Sequence, residues 1–208
     1  MQKIKMIAIL TMALTLGGCA STQRLSESDR ASVRTVSVGS AVQKGDLFLL
    51  APSSAKIGTM FGIIGAAIGS TSASDRTAFD NFLQAHAVSV DAIVHDEFVK
   101  VLRASGKVAI GAPGNETLPV LKVSLPQYGF GVTYLTSSNV VPVMQIKGEL
   151  TDSAGKVLWS DTERMFPSIA SPMDPTTWQQ LHDDPKRIEK EWRKAAHYLA
   201  QKMVDTLQ

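Results

Sequence analysis

The spacing of apolar residues changes once, near Lys107. From about Asp75 to Ala104 they recur at mostly three- and four-residue intervals, at Phe79, Leu83, Val90, Val94, Phe98 and Val101, which is the period of an amphipathic helix. Beyond Lys107 the stretches LPVLKVSLPQYGFGVTY, VVPVMQIKGEL and VLWSDTERMF alternate with period two and read as long strands. One element cannot serve both periods, so the helical and strand-forming parts are expected in separate layers of one domain.

The flanks extend this pattern. VRTVSV (33–38) alternates and is β-branched, so it reads as a strand, and LFLL (47–50) is a shorter one. The helical stretch is one element of unusual length or two in succession, with Gly106 as its C-terminal stop. DSAGK (152–156) reads as a tight hairpin with Gly155 available for a positive φ. In VLWSDTERM the residues Val157, Trp159, Asp161, Glu163 and Met165 share a face, which places the two acids toward water. A last helix starts at Pro185, with Asp184 as its cap, and lines up Ile188, Trp192, Ala195, Leu199, Met203 and Leu207. The expected fold is α+β: a two-layer domain whose antiparallel sheet of about four to five strands is covered by a long central helix and a C-terminal helix.

The first 18 residues belong to none of this. A basic start with Lys3 and Lys5 leads into an apolar run from Met6 to Leu16 and then two small residues. That is the secretory-leader pattern, and the run is shorter than the ~20 residues a spanning helix needs. The chain's only cysteine follows, in Leu16, Gly17, Gly18 and Cys19. These four residues resemble the lipobox of bacterial lipoproteins. The resemblance implies cleavage before Cys19, lipidation of its sulfur and, from Ala20 in the next position, delivery to the outer membrane with the domain facing the periplasm. Two or three acyl chains anchor a protein durably where one does not.

The resulting division is a signal peptide (1–18), a lipidated N-terminus and polar tether (19–32), and a single α+β periplasmic domain (33–208). Loss of Lys3 and Lys5 leaves 19 of the 21 basic residues against 19 acidic ones, so the mature chain is neutral and nothing points to nucleic acid. With Cys19 acylated, no thiol remains for a disulfide, a metal or catalysis.

An apolar insertion, IGTMFGIIGAAIG (57–69), contains 13 residues without a charge. Gly58 and Gly62 are four apart, as are Gly65 and Gly69, a spacing that lets helices approach closely. As a helix it would be about 20 Å long, short of the ~30 Å hydrocarbon core. Three readings stay open: packing on the domain's own core, membrane insertion, and self-association.

Chemistry is sparse. His95 follows Asp91 by four residues and precedes Asp96 and Glu97, yet no second histidine gives HExxH spacing, and charged residues on a wet helix face need no special role. His182 with Asp183 and Asp184 borders a helix start; His86 and His197 show no polar partners in sequence. No GxSxG elbow, phosphate loop or cofactor motif is present. Tyr128, Phe130 and Tyr134 alternate along a strand, which suits core packing or a carbohydrate-facing platform. The topology is similar to curli-secretion channel lipoproteins and to activators of penicillin-binding proteins, and the chain also resembles uncharacterised envelope lipoproteins with a Gly-rich apolar segment. These features lead to the expectation of a non-enzymatic accessory that uses no cofactor. It would be held by its lipid anchor and bind an envelope protein partner; the alternative is a homo-oligomeric ring or pore that uses the Gly-rich segment at the membrane.

Overall fold

The computed structural model describes residues 22–51, 60–61, 73–112, 115, 117–134, 136–168 and 171–207. In chain order the elements are α1 (Glu27–Ser32), β1 (Thr35–Val38), β2 (Gln43–Leu50), α2 (Ala73–Ala85), α3 (Val90–Ser105), β3 (Ala109–Ile110), β4 (Val120–Val132), β5 (Asn139–Thr151), β6 (Val157–Met165), β7 (Thr176–Thr177), α4 (Trp178–Asp183) and α5 (Pro185–Asp205). The architecture is α+β, one sheet with its helices packed on one face.

The three alternating stretches form the centre of the sheet. β4, β5 and β6 pair as an antiparallel meander, with Leu121 opposite Leu150 and Leu150 opposite Trp159. The turn between β5 and β6 is closed by Asp152, whose carboxylate accepts from the backbone N–H of Ala154 and Lys156, and Gly155 takes φ 83°. The sheet is mixed rather than wholly antiparallel. β1 and β2 both join β4 in parallel, at Ser37–Val120 and along Gln43–Gly131, and β3 joins β1 in parallel. Period two fixes which residues share a face but not strand direction, and a helical connection of this length permits a parallel return. LFLL proves to be the buried end of a longer β2, because Leu47 and Leu49 face the helices beside Tyr128 and Phe130.

The helical stretch divides in two. α2 ends where Ala87 turns to φ 54°, and the Ser89 hydroxyl then caps α3 by accepting from the Ala92 N–H. Gly106 ends α3 in the left-handed conformation. α5 lies across β5 and β6 and against α3, and Ile188, Trp192, Ala195, Leu199, Met203 and Leu207 are all buried. Pro185 stands at its start as expected. Asp184 holds the cap position without a side-chain hydrogen bond, so the helix begins on the proline alone.

Two expectations need correction. The segment up to residue 32 is not a free tether from Thr22 onward: Gln23 pairs with Ser160, Leu25 is buried and α1 follows, its Asp29 carboxylate 3.8 Å from Lys156. One leucine and a backbone pair suffice to dock a stretch whose composition alone is that of a linker. Asp161 does share a face with Trp159 and Met165, but that face lies under α5, and Asp161 is only 2% exposed. The wet side of β6 carries Ser160, Thr162 and Arg164 instead.

β5 bends around a small residue. A Cβ on Gly148 would stand 2.7 Å from the Trp159 ring and 3.0 Å from the Met203 methyl, so the indole occupies the room glycine leaves. Gly148→Ala is therefore expected to destabilise the domain by about 1–3 kcal/mol, read as a lower urea midpoint, because both neighbours are fully buried.

Candidate functional site: the N-terminal junction and the charged helix face

The lipobox residues Leu16, Gly17, Gly18 and Cys19 lie outside the described residues, and so do Gly58, Gly62, Gly65 and Gly69. The described chain begins three residues after Cys19, and there it is firmly held. Gln23 exchanges two backbone hydrogen bonds with Ser160, of 2.7 and 3.0 Å. The Thr22 hydroxyl donates to Asp161 Oδ1 at 2.9 Å, and the Thr206 hydroxyl donates to Oδ2 at 2.8 Å. The Thr162 N–H also donates to Oδ1, the third donor to the carboxylate, and the Trp159 indole N–H donates to the Thr206 oxygen. A buried carboxylate is tolerated when donors surround it in this way. One acid thus joins the start of the described chain, β6 and the end of α5.

The second polar feature lies between α3 and α5. Glu97 is buried and is met by three side chains: His197 Nδ1 at 3.1 Å, Arg193 at 3.4 Å and Lys100 at 3.5 Å. Arg193 also meets Glu189 at 3.0 Å, and that hydrogen bond is the main reason its pKa is raised. Lys194 bridges Asp174 at 3.0 Å and the buried Glu191 at 3.3 Å; the bond to Asp174 chiefly raises its pKa. Lys186 and Lys190 border the same open depression of about 550 Å³.

His95, the sequence candidate, lies beside this cluster and approaches only Asp96, at 3.7 Å. Its neighbour Glu97 turns instead to His197, which stands 100 positions away in the chain. That pairing has no sequence signal, since it arises only when two helices pack. Asp91 accepts from the Ser89 hydroxyl at the start of α3. Among the described residues, no group of three or more His, Cys, Asp or Glu is placed to hold a metal. The geometry of the Glu97 cluster ties two helices together, through His197 and Arg193 of α5.

Of the Gly-rich segment, Met60 and Phe61 are described. Phe61 is buried, with its ring 5.0 Å from Phe79, 4.9 Å from Phe82 and 6.3 Å from Trp178. At this point the segment packs on the domain's own core. His182 stacks on Phe82 at 5.7 Å and His86 lies 4.5 Å from the same ring, so two of the histidines are edge residues of an aromatic cluster. His182 also contacts Asp183 at 3.0 Å, the main cause of that carboxyl's lowered pKa, with Gln179 assisting.

The aromatic platform does not form. Tyr128 and Phe130 are buried and only Tyr134 is exposed. The Tyr128 hydroxyl donates to Asp80 at 3.2 Å; burial first, and then the Asp80 charge, push its pKa well above the ordinary tyrosine value. Among the described residues no helix is long and apolar enough to cross a membrane.

No family model matches the chain, and no curated protein matches it. Among solved structures, the PelC dodecamer from Paraburkholderia phytofirmans is similar at 16% identity and a TM-score of 0.43, over 90% of this chain and 95% of that one. Protein XCC0632 from Xanthomonas campestris, of family-model DUF330, is similar at 15% identity and a TM-score of 0.38, over 82% and 95%. Likeness of this degree assigns neither an assembly nor an activity to this chain.

The junction and the buried tyrosine each generate an expectation. Asp161→Ala removes the acceptor of the Thr22 hydroxyl and the Thr162 N–H and leaves Thr206 only the Met203 carbonyl, at about 1–3 kcal/mol, and frees the N-terminal segment. Trypsin should then cut after Arg24 several-fold faster than in the parent protein. Tyr128 folds neutral with a raised pKa, so its contribution is complete below about pH 10 and declines as pH climbs further. Tyr128→Phe should cost about 1 kcal/mol at pH 8 from the lost hydrogen bond, and urea midpoints should show that gap closing by about pH 11.

Proposed function

We propose that this chain is a lipid-anchored protein of the bacterial envelope, acting without catalysis of its own as an accessory in assembly, secretion or transport through contacts with other proteins. The observation that carries the reading is the conjunction of Leu16-Gly17-Gly18-Cys19 with a domain that is locked to the chain only three residues later, at Thr22 and Gln23. A leash of three residues reaches about 10 Å fully extended. An acylated Cys19 would therefore hold the folded domain against the membrane, which suits a protein whose partners lie in or on that membrane. The sequence rule at Ala20 favours the outer membrane, with the domain on the periplasmic side.

The non-catalytic part rests on the same residues. The buried acids Glu97 and Asp161 are engaged in joining elements, through His197, Arg193 and Lys100 in one case and Thr22 and Thr206 in the other. Cys19→Ser is expected to remove the acyl mass from the protein and move it out of the membrane fraction while its circular dichroism stays unchanged. Retention of the variant in that fraction at parental levels would overturn the lipid anchor. Cross-linking of the parent protein in intact envelopes, followed by mass spectrometry, should recover a protein partner; recovery of none beyond background would overturn the accessory role.

A further inference from the structure

Positive charge gathers in the depression between α3 and α5. Lys100, Lys186, Lys190, Arg193 and Lys194 line it, against the two acids Glu97 and Glu189, an excess of three positive charges where the whole chain carries only +2. Both acids are already engaged: Glu97 meets His197, Arg193 and Lys100, and Glu189 meets Arg193 at 3.0 Å. Lys194 is held by Asp174 and Glu191. Lys186 and Lys190 are exposed, and among the described residues neither forms an ion pair.

The spacing of these lysines works against the helix that carries them. Lys186, Lys190 and Lys194 stand four residues apart along one side of α5, and like charges at that spacing weaken a helix. Elsewhere on α5 the same spacing serves attraction, between Glu189 and Arg193. An arrangement that opposes local stability, with no acid of the fold beside Lys186 or Lys190, points to an acid outside it. At ~1.5 Å per residue the three lysines recur about every 6 Å along the helix. A protein segment repeats its carboxylates at nearly that interval when acids take every fourth residue of a helix, or every second residue of a strand at ~3.3 Å each. Lys100 borders the same hollow from α3, so a segment lying in it meets cations of both helices.

We propose that the depression between α3 and α5 docks an acidic segment of an envelope protein, with Lys186 and Lys190 on one wall and Lys100 on the other as its counter-charges. The inference rests on the accessory reading above, and gives that partner its chemistry and its place on the domain. Held by charge at an open surface, such a complex forms fast and weakens with salt.

A zero-length carbodiimide, which joins an amine to a carboxylate only where the two touch, tests this on the unaltered protein in intact envelopes. Mass spectrometry should find isopeptides from Lys186 or Lys190 to aspartate or glutamate of another protein. If amine-reactive cross-linking captures a partner while the isopeptides map only to lysines of the sheet, such as Lys122 and Lys147, the docking face is overturned and the accessory role stands. If neither reagent captures a partner, both are overturned. Labelling of the peptide around Lys190 by a photoactivatable phosphatidylglycerol, with no isopeptide there, would put lipid in the hollow and overturn the proposal. A second measurement uses the purified full chain and a fluorescent peptide that alternates glutamate and serine. Lys186→Glu with Lys190→Glu should weaken its binding at least about tenfold; Lys122→Glu with Lys147→Glu, an equal change of net charge, should weaken it less than about twofold. Raising salt from about 50 to about 300 mM should weaken parental binding several-fold. The first pair should unfold at or above the parental urea midpoint, because it removes like charges from α5. Equal losses from the two pairs would reduce the attraction to net charge alone and overturn the site.

Discussion

The two layers of this domain meet at Trp192. Its indole N–H donates to the Gly129 carbonyl at 3.2 Å, its ring stacks on Phe130 at 5.5 Å, and Tyr128 and Phe79 approach it edge-on at 5.8 and 6.3 Å. A buried indole needs one polar partner and otherwise packs as a large hydrophobe, and the site supplies both. The partner is available because β4 carries glycine there: at φ 146° and with the Phe48 carbonyl oxygen 1.8 Å from where a Cβ would stand, no other residue fits. β2, β4, α2 and α5 are thereby fixed relative to one another by one side chain and one glycine.

From that junction the remaining polar interior follows a pattern. Charge is buried where elements remote in sequence must be joined. Asp161 links residue 22 to residue 206 through two threonine hydroxyls, so the first and last parts of the described chain converge on β6. Glu97 links α3 to α5 through His197 and Arg193, with Lys100 of its own helix beside it. Both acids have their donors in place, which is the condition under which a buried carboxylate can be kept. In each case the acid joins elements remote in sequence.

The start of the described chain is fixed where composition alone would leave a linker: Gln23 pairs with Ser160 and the Thr22 hydroxyl is held by Asp161. On the lipid-anchored reading proposed above, a short leash between Cys19 and Thr22 would keep the folded domain close to its membrane.

The sequence by itself determined the address motif, the α+β class, the change of period at Lys107, the hairpin at Gly155 and the apolar stripe of α5, because each is written in local spacing. Tertiary structure decided what spacing cannot encode. Parallel docking of β1 and β2 depends on which edge of β4 is free. The covered side of β6 depends on where α5 comes to rest, which is why Asp161 is interior and Arg164 exposed. The pairing of Glu97 with His197, and of Thr22 with Asp161, spans 100 and 139 positions and exists only once the layers have closed. Local periodicity reports how a residue faces its own element; which face another element then covers is settled by packing, and the candidate sites of this protein all depend on that second step.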